Sequence, residues 1–491
     1  MHERQVTCAA HGHMLTNAAV WSLDSRWIVY DTRSSPDGSV FDGTRIERVE
    51  VDSGRIELLY ESRNGACCGV VTASPVDDRV VFIVGPEHPT ADWQYGPAHR
   101  QGVVVGASQP GVIEQLDARD LVPPFTAGAL RGGSHVHVYS PDGRLVSFTY
   151  EDAVLDICGK SHPWPFSARS TGENAEGSHG RHASHPAMLD ASPETGPGEA
   201  VPREKNLRGI GVSVCGKPVQ VPRTHERNHD GTAFSVLVTR LTDDPMPGSD
   251  EICKAFEEAW IGTHGYLRTD GTRQRYALAF QGHVVVHGGS GGAHRTISEV
   301  FVCDLPDEVM GLEVAADQPL EGTPTSRPSP PRGVIQRRLT FTADRRHPGV
   351  DGPRHWLRSS PDGSRIAFLM RDDLGVVQVF TVRPTGGQPV QVTQDQWHVA
   401  SSLSWSPNGR RIAYVADSSV FVVAVASGAS TRLTDRTIAA PPRPEACVFS
   451  PDGRRIAFMR SVPAPLPAGG AQGGESGPAV HNQIFVVDAT R

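Results

Sequence analysis

The fold is decided by the stretch Ser450–Phe458, which reads SPDGRRIAF and recurs along the chain. Close copies begin at Ser140 (SPDGRLVSF), Ser360 (SPDGSRIAF) and Ser406 (SPNGRRIAY). Proline presets φ for a turn, the Asp or Asn side chain caps it, and glycine adopts the positive φ that the turn requires. The apolar run that follows alternates as a β-strand does. Each copy therefore predicts a β-hairpin centred on the turn.

The segments between these turns supply two more strands. An apolar third strand follows, as at Val420–Val423, and a short outer strand ends in Val-Thr or Leu-Thr, as at Leu433–Thr434. Four antiparallel strands in a repeat of roughly 45 residues are typical of a propeller blade. The sequence thus predicts an all-β, seven-bladed β-propeller over residues 1–491. Including weaker copies of the turn, its seven anchors are Ser22, Ser74, Ser140, Asn228, Ser360, Ser406 and Ser450.

The two ends of the chain fit together in this scheme. The last repeat reaches its third strand at Ile484–Val487, and no fourth strand follows it in the sequence. Residues Gln5–Thr7 (QVT) match the outer-strand segment Gln391–Thr393 (QVT). We expect the N-terminal strand to complete the last blade and to close the ring, which also removes an exposed sheet edge.

Three segments depart from the repeat. Residues 158–204 are rich in Ser, Gly, His and Pro, and predict a flexible insertion in blade three. Residues 241–350 exceed one plain connection, so they hold either an insertion or an extra blade around Tyr276–Phe280, which would make eight blades. Within them, Ser249–Trp260 predicts a short helix, with Ser249 as its cap and acids in its first turn. Its acids are either acid/base groups over the channel or caps and solvated surface charges: Asp250, Glu251, Glu257 and Glu258. Residues 462–481 predict a loop in the last blade.

Composition excludes several classes of protein. The formal net charge is -8 and the sequence pI is about 6.2, so no basic surface for nucleic acid is expected. No stretch approaches the ~20 apolar residues of a membrane helix, and the N-terminus lacks the apolar region of a signal peptide. We therefore expect a cytoplasmic protein without membrane insertion. The eight cysteines include no CxxC pair, so neither a disulfide framework nor a structural zinc site is expected.

The Ser-Pro-Asp-Gly repeats resemble the PD40 (WD40-like) repeats of TolB-type propellers. Similar repeats occur in oligogalacturonate lyases and in the propellers of prolyl-oligopeptidase relatives. A closer resemblance is to a family of cytoplasmic TolB-like propellers often labelled "biopolymer transporter Tol". It rests on His11–Asn17 (HGHMLTN), Arg131–Val138 (RGGSHVHV) and Gly248–Trp260 (GSDEICKAFEEAW). These resemblances imply a propeller fold over nearly the whole chain.

The anchors allow one position to be compared in every blade. Five residues before the anchor, the inner strand enters next to the central channel. The residues there are polar in six of the seven repeats: Asn17, Gly69, His135, Arg223, His355, Ser401 and Glu445. Three residues before the anchor, His137 and His225 stand where other repeats have apolar residues. Neutral imidazoles are common ligands of divalent metals such as manganese or zinc. The alternative interpretation, which a polar propeller channel favours, is that the same histidines are hydrogen-bonded channel residues without a metal.

Two functions fit these residues. The first is a TolB-like binding protein that engages a protein partner or a polar ligand such as a carbohydrate at the channel face, with Asn17, Arg223 and Glu445 as ligand-binding residues. The second is implied by the resemblance to oligogalacturonate lyases. It is a metal-dependent enzyme that acts on an acidic sugar. Its metal would be held by His135, His137, His225 and His355, and Arg223 would hold the substrate carboxylate.

Overall fold

A computed structural model describes residues 3–35, 37–156, 203–288, 293–307, 319–353, 356–463 and 479–489. Within these residues the chain forms seven antiparallel sheets of four strands each, together with two short two-stranded sheets. Clusters of buried apolar side chains join each sheet to the next. One of them joins the last sheet to the first through Tyr30 and Ile484. The predicted all-β, seven-bladed β-propeller is confirmed, and the eight-bladed alternative is wrong.

The blades follow one another along the chain, each counted from its inner strand outward. β1 (Glu3–Gln5) comes first and belongs to the last blade. Blade one is β2 (Gly12–Met14), β3 (Trp27–Arg33), β4 (Arg45–Glu50) and β5 (Ile56–Glu61). Blade two is β6 (Cys68–Ala73), β7 (Arg79–Val84), β8 (Gln101–Gly106) and β9 (Ile113–Gln115). The short strands β10 (Ala118–Arg119) and β11 (Ala129–Leu130) lead into blade three, which is β12 (Gly132–Tyr139), β13 (Leu145–Asp152), β14 (Gly209–Val219) and β15 (Gly231–Leu237).

The second half of the ring is built in the same way. Blade four is β16 (Ile252–Trp260), β19 (Tyr276–Val286), β20 (Arg295–Leu305) and β21 (Ile335–Arg338), with the hairpin β17 (Tyr266–Leu267) and β18 (Arg273–Gln274) after its first strand. Blade five is β22 (Arg358–Ser359), β23 (Ile366–Arg371), β24 (Val377–Val382) and β25 (Val390–Gln391). Blade six is β26 (Ser404–Trp405), β27 (Arg411–Ala416), β28 (Ser419–Ala424) and β29 (Ala429–Arg432). Blade seven is β30 (Pro442–Phe449), β31 (Arg455–Pro463), β32 (Val480–Asp488) and β1.

The repeated turn is held by its own side chains. In the last copy, the Ser450 hydroxyl donates to Asp452 Oδ1 over 2.5 Å, and the same carboxylate oxygen accepts the amide of Arg454 over 3.0 Å. The Ser450 oxygen in turn accepts the amide of Arg455 over 3.0 Å. Gly453 has a φ of 72°, a conformation that glycine adopts without steric cost. Serine, aspartate and glycine each therefore satisfy a separate requirement of the turn.

The N-terminal strand closes the ring, as predicted. β1 pairs antiparallel with β32, and the amide of Val6 continues the ladder by donating to the Ile484 carbonyl over 2.8 Å. The hydroxyl of Thr7 then accepts the amide of Ile484 over 2.9 Å. Thr434, the last residue of the Leu-Thr pair in blade six, accepts the amide of Val420 over the same distance. The Val-Thr and Leu-Thr endings therefore mark the hydroxyl that fastens an outer strand to its neighbour.

Two predictions about blade four were wrong. Asn228 is not a blade anchor, because it lies between β14 and β15 of blade three. The stretch predicted as a helix, Ser249–Trp260, instead contains β16, the inner strand of blade four. β16 pairs with β19 through two register shifts, so its apolar residues lose the strict alternation that marks a strand in sequence. The propeller keeps seven blades because residues 252–338 supply the fourth.

Two of the predicted insertions fall largely outside the described residues. Residues 157–202 and 464–478 are not among those that the structure describes. They connect the second strand to the third in blades three and seven. The helix of the described chain, α1 (Ala153–Asp156), has four residues, and no helix in the described ranges is long and apolar enough to cross a membrane.

Candidate functional site

The backbone beside the channel is distorted on the inner strands of blades two to four and just after that of blade one. Ala19, Val70, Val136 and Glu257 have left-handed φ values between 51° and 59°. In blades two, three and four the strand pairing also shifts register at this point. A non-glycine residue in this region costs about 1–3 kcal/mol, and a bulge re-aims the side chains next to it. The described inner strands of blades five to seven contain no such residue, so the propeller fold itself does not require the strain.

Four polar side chains, which we call the channel cluster, meet beside this strained backbone: Asn17, Glu257, Glu258 and Arg358. Arg358 of blade five donates from Nη2 to the carbonyl of Asn17 over 3.0 Å and also to the side-chain oxygen of Asn17. Blades one and five are not neighbours in the ring, so this contact crosses the channel. Glu257 and Glu258 of blade four place two carboxylates whose charges act on Arg358.

Glu258 is the acid of this cluster that titrates near neutral pH. Only 2% of the residue is exposed, and its Oε2 accepts the Thr149 hydroxyl over 3.1 Å. Its Oε1 has no hydrogen-bond partner among the described residues. Burial raises the pKa of Glu258 to about 7, against the opposing effect of hydrogen bonds from its own amide and from Thr149. The residue can therefore hold or release a proton at physiological pH.

Arg358 and Glu257 differ from Glu258 in their partners. Burial lowers the pKa of Arg358 to about 10, and the charges of Glu257 and Glu258 oppose that effect, so the guanidinium is positive at neutral pH. Glu257 Oε2 accepts Nε2 of Gln281 over 2.5 Å. The channel thus holds a positive group that the charges of two acids act on, and one of these acids, Glu258, is buried.

A second group of side chains, the entrance cluster, lies where the inner strand of blade three begins: Arg33, Phe41, Tyr95, Arg100 and His135. The Arg33 guanidinium lies 4.2 Å from the centre of the Phe41 ring. The rings of Phe41 and Tyr95 stack at 4.6 Å, and Arg100 lies 6.0 Å from the Tyr95 ring. Two arginines therefore flank an aromatic pair.

Blade two contributes a glycine to this position for a steric reason. A Cβ atom on Gly69 would approach the Phe41 ring to 2.8 Å and the Asp31 carboxylate to 3.0 Å. Gly69 was the exception among the polar residues compared at the channel entrance, and the structure shows that its missing side chain leaves room for Phe41.

Among the described residues, His135, His137 and His225 do not form a group that could hold a metal. The left-handed Val136 and the register shift after His135 remove the two-residue alternation that would have placed His135 and His137 on one face. His137 is fully buried, 3.4 Å from Asp117. His225 lies in the connection between β14 and β15, where its Nδ1 accepts the amide of Arg227. His355 lies outside the described residues.

These positions do not fit a shared manganese or zinc ion. Direct ligation needs ring nitrogens about 2.0–2.1 Å from one metal. Among the described residues, no group of three or more His, Cys, Asp and Glu side chains is arranged to hold a metal. We therefore derive no chemistry through a metal from His135, His137 and His225.

The predicted ligand-binding residues are separated in the structure. Asn17 belongs to the channel cluster. Glu445 lies on β30, the inner strand of blade seven, with Oε1 3.3 Å from Arg443. Arg223 lies in the connection between β14 and β15, with 61% of its side chain exposed, and pairs with Asp230 over 2.9 Å. Arg223 misses the inner strand because Asn228, from which its position was counted, is not a blade anchor.

Sequence reasoning missed Arg358 and Arg100. Arg358 had a usable signal, since it lies two residues before the anchor Ser360. Other repeats have apolar or small residues at that position: Val20, Thr72, Val138, Ser404 and Val448. Glu258 was named among the acids of its segment, but the helix interpretation did not predict its contact with Thr149 or its charge beside Arg358. Arg100 lies on the connection into β8, at a position that the turn anchors do not index.

His137 is part of a buried network around Asp117 rather than of the channel. The hydroxyls of Ser134 and Ser213 each donate to Asp117 over 2.7 Å. Burial alone raises the pKa of Asp117, but interactions with His137 and the two serines outweigh burial and lower it to about 2. Asp117 is therefore an ionised carboxylate that joins blades two and three.

Replacing Gly102 by alanine is expected to strain this network. A Cβ atom there would lie 2.5 Å from Nε2 of His137 and 2.9 Å from Asp117, and neither buried side chain has space to move. We expect G102A to lower the free energy of unfolding by about 2 kcal/mol, measured by urea denaturation. The control G106A lies on the same strand, and its new Cβ would meet nothing closer than 3.7 Å. Equal stability of the two variants would contradict the packing described for His137.

The chain matches two family profiles in part. Residues 67–165 match a family described as "Protein of unknown function (DUF3748)", and residues 387–463 match "Dipeptidyl peptidase IV (DPP IV) N-terminal region". Among solved structures, an oligogalacturonate lyase in complex with manganese is similar, with a TM-score of 0.47 and 12% identity over 100% of this chain and 93% of that one. A protein from Agrobacterium tumefaciens described as TolB has a TM-score of 0.35 and 13% identity, over 91% of this chain and 98% of that one.

A curated relative matches almost from end to end. The "Uncharacterized protein YidR" of Escherichia coli (strain K12) is 40% identical over 457 residues. The match covers 93% of this chain and 94% of the relative. At this identity and coverage, the chain belongs to the same protein family as YidR.

Proposed function

We propose that this chain is a binding propeller that takes a small polar ligand into its central channel. The channel cluster carries the proposal. Oε1 of Glu258 and Nε of Arg358 are buried atoms without a hydrogen-bond partner among the described residues. Buried polar atoms are nearly always paired, and leaving one unpaired costs about 1–3 kcal/mol. A ligand with hydroxyl or amine groups would supply the missing partners.

The contact between Arg358 and Asn17 supports a pocket rather than an open pore. It joins opposite sides of the ring, so the guanidinium lies across the channel at that level. A ligand that enters from the face on which the inner strands begin would reach this contact and stop there. Arg358 and Asn17 would then form the floor of the site, with Glu257 and Glu258 on its wall.

The strained inner strands support the same site. Glu257 has a φ of 58°, and its left-handed backbone lies directly before Glu258. Such strain persists only where the surrounding structure enforces it, and it clusters at binding and catalytic sites. The strain directs two consecutive carboxylates toward Arg358 and Thr149, which a regular alternating strand would not do.

Thermal denaturation with a ligand panel tests the proposal. The panel contains neutral monosaccharides, sugar acids, amino acids and dicarboxylates, each at millimolar concentration. We expect at least one class to raise the melting temperature of the wild-type chain by a few degrees, because a ligand at 100 times its Kd stabilises by about 2.7 kcal/mol. R358M should lose this response.

The matched control is R410M, which removes an exposed arginine from a turn of blade six. R410M should respond to the ligand as the wild-type chain does. E257Q provides a second channel variant if R358M does not fold. A wild-type chain that responds to no class, or channel variants that keep the full response, would refute the proposal.

A further inference from the structure

Arg100 is a buried guanidinium without a carboxylate partner among the residues that the structure describes. Only 8% of the residue is exposed, and among the described residues it forms no ion pair. Its Nε has no hydrogen-bond partner there either. Its side chain hydrogen-bonds to Tyr95, which is a neutral group. A buried positive charge without a counter-charge is costly, so this position calls for a negative group from outside the described chain.

The neighbouring arginines differ from Arg100 in this respect. Arg33 pairs with Asp31 over 2.6 Å, and Arg208 pairs with Glu151 through Nε over 2.7 Å. Each of these pairs is neutral in sum. Of the three arginines, Arg100 is therefore the one whose positive charge is not balanced by an acid among the described residues.

His135 marks the point toward which these charges converge. Its Nδ1 is buried and has no hydrogen-bond partner among the described residues. Burial, and then the positive charges of Arg100, Arg208 and Arg33, lower the pKa of His135 well below its usual range. The imidazole is thus neutral at pH 7, and its ring can offer a hydrogen bond beside a strongly positive region.

The aromatic pair contacts both guanidinium groups. Phe41 and Tyr95 stack at 4.6 Å, with the Arg33 guanidinium 4.2 Å from the Phe41 ring and the Arg100 guanidinium 6.0 Å from the Tyr95 ring. An ordered guanidinium forms two parallel hydrogen bonds to a carboxylate or a phosphate with little further loss of entropy. The entrance cluster is therefore built before any ligand arrives.

We propose that the entrance cluster binds a small oxyanion, a carboxylate or a phosphate, through Arg100 and His135. The inference rests on the proposed function and names the chemical class of its ligand. The anionic group would sit at the entrance, against Arg100, while the polar remainder of the ligand extends toward the channel cluster. Arg33 and Arg208 strengthen the attraction through their charge although each has its own acid partner.

Calorimetric titration with glucose, glucuronate and glucose 6-phosphate tests this inference, because the three probes differ only in the presence and kind of the anion. At 50 mM salt we expect the wild-type chain to bind at least one of the two anions ten or more times more tightly than glucose. The anion that binds more tightly shows whether the site takes a carboxylate or a phosphate. R100M should remove the preference and leave the affinity for glucose unchanged. R63Q, which removes an exposed arginine from the connection between blades one and two, should keep the preference.

A second measurement does not depend on any variant folding. Raising the salt to 500 mM should weaken anion binding to the wild-type chain and leave glucose binding unchanged, because salt screens the attraction. The inference is refuted if R100M keeps the preference, if salt has no effect, or if none of the three probes binds. The proposed function is judged separately by the wider panel. If a neutral ligand binds, and its binding depends on Arg358 but not on Arg100, the proposed function stands and the proposed oxyanion site is refuted.

Discussion

Removal of residues 1–7 is expected to destabilise the propeller by on the order of 5 kcal/mol, which is a large part of the stability of an ordinary protein. The deletion removes β1 from β32, the hydrogen bond from Val6 to Ile484 and both hydrogen bonds of the Thr7 hydroxyl. Each hydrogen bond contributes about 1 kcal/mol, and exposure of the buried Val6 side chain adds about 1.5–2 kcal/mol. Thermal denaturation followed by circular dichroism measures the loss.

The deletion also has an expected effect on association. Without β1, the backbone groups of β32 form an open sheet edge, which is a template for pairing with another chain. Light scattering should therefore detect dimers or larger species of the shortened chain. A deletion variant that stays monomeric and melts at the wild-type temperature would show that the seam between blades seven and one contributes little.

Two point variants compare blade seven, which the N-terminal strand completes, with the internal blade six. T7V removes the hydroxyl that accepts the amide of Ile484, and T434V removes the equivalent hydroxyl that accepts the amide of Val420 inside blade six. Each change leaves a buried amide without its acceptor, which costs about 1–3 kcal/mol. We expect T7V to lose at least as much stability as T434V, because the Thr7 hydroxyl also donates to Oε1 of Gln483 over 2.8 Å. A much smaller loss for T7V would indicate a loosely closed ring.

The repeats allowed the fold to be predicted because their signals are local. Each Ser-Pro-Asp-Gly turn requires proline, aspartate and glycine within four residues, and the outer strands end in a threonine with one defined partner. The error at Asn228 has the same origin. The tetrapeptide Asn228–Gly231 has turn chemistry, but it precedes the outer strand of blade three rather than the second strand of a new blade. Turn chemistry identifies a turn and does not say which turn of a blade it is.

The functional sites were harder to predict because their contacts are long-range. Arg358 contacts Asn17 across 341 positions of sequence, and nothing local in either segment indicates the other. The bulges at Val136 and Glu257 also redirect side chains after the strand has been recognised, so the alternation that placed His135 beside His137 no longer applies. Asn17 was counted from Ser22, which is a true blade anchor, and it contacts Arg358 of blade five.

Three histidines, His11, His13 and His481, lie at the same seam between blades seven and one, and they predict a large effect of pH on stability. His13 on β2 is fully buried, and its Nδ1 donates to the carbonyl of Asn482 on β32 over 3.0 Å. Its ring stacks on that of His11 at 4.5 Å, and its Nε2 has no partner among the described residues. Burial, and then the charge that His11 would carry, lower the pKa of His13 to about 3. His481 acts on both rings in the same direction.

Stability is therefore expected to fall as the pH falls from 7 to 5. An unfolded histidine has a pKa of about 6.5, so the unfolded chain takes up a proton in this range while folded His13 does not. The difference amounts to about 2 kcal/mol at pH 5 for His13, and burial of His11 adds to it.

H13N keeps a donor near the position of Nδ1 but does not titrate, so it should lose less stability on acidification than the wild-type chain. The control H264N replaces an exposed histidine and should behave as the wild-type chain does. Urea denaturation at the two pH values measures the effect, and equal acid sensitivity of H13N and the wild-type chain would rule out His13 as its source.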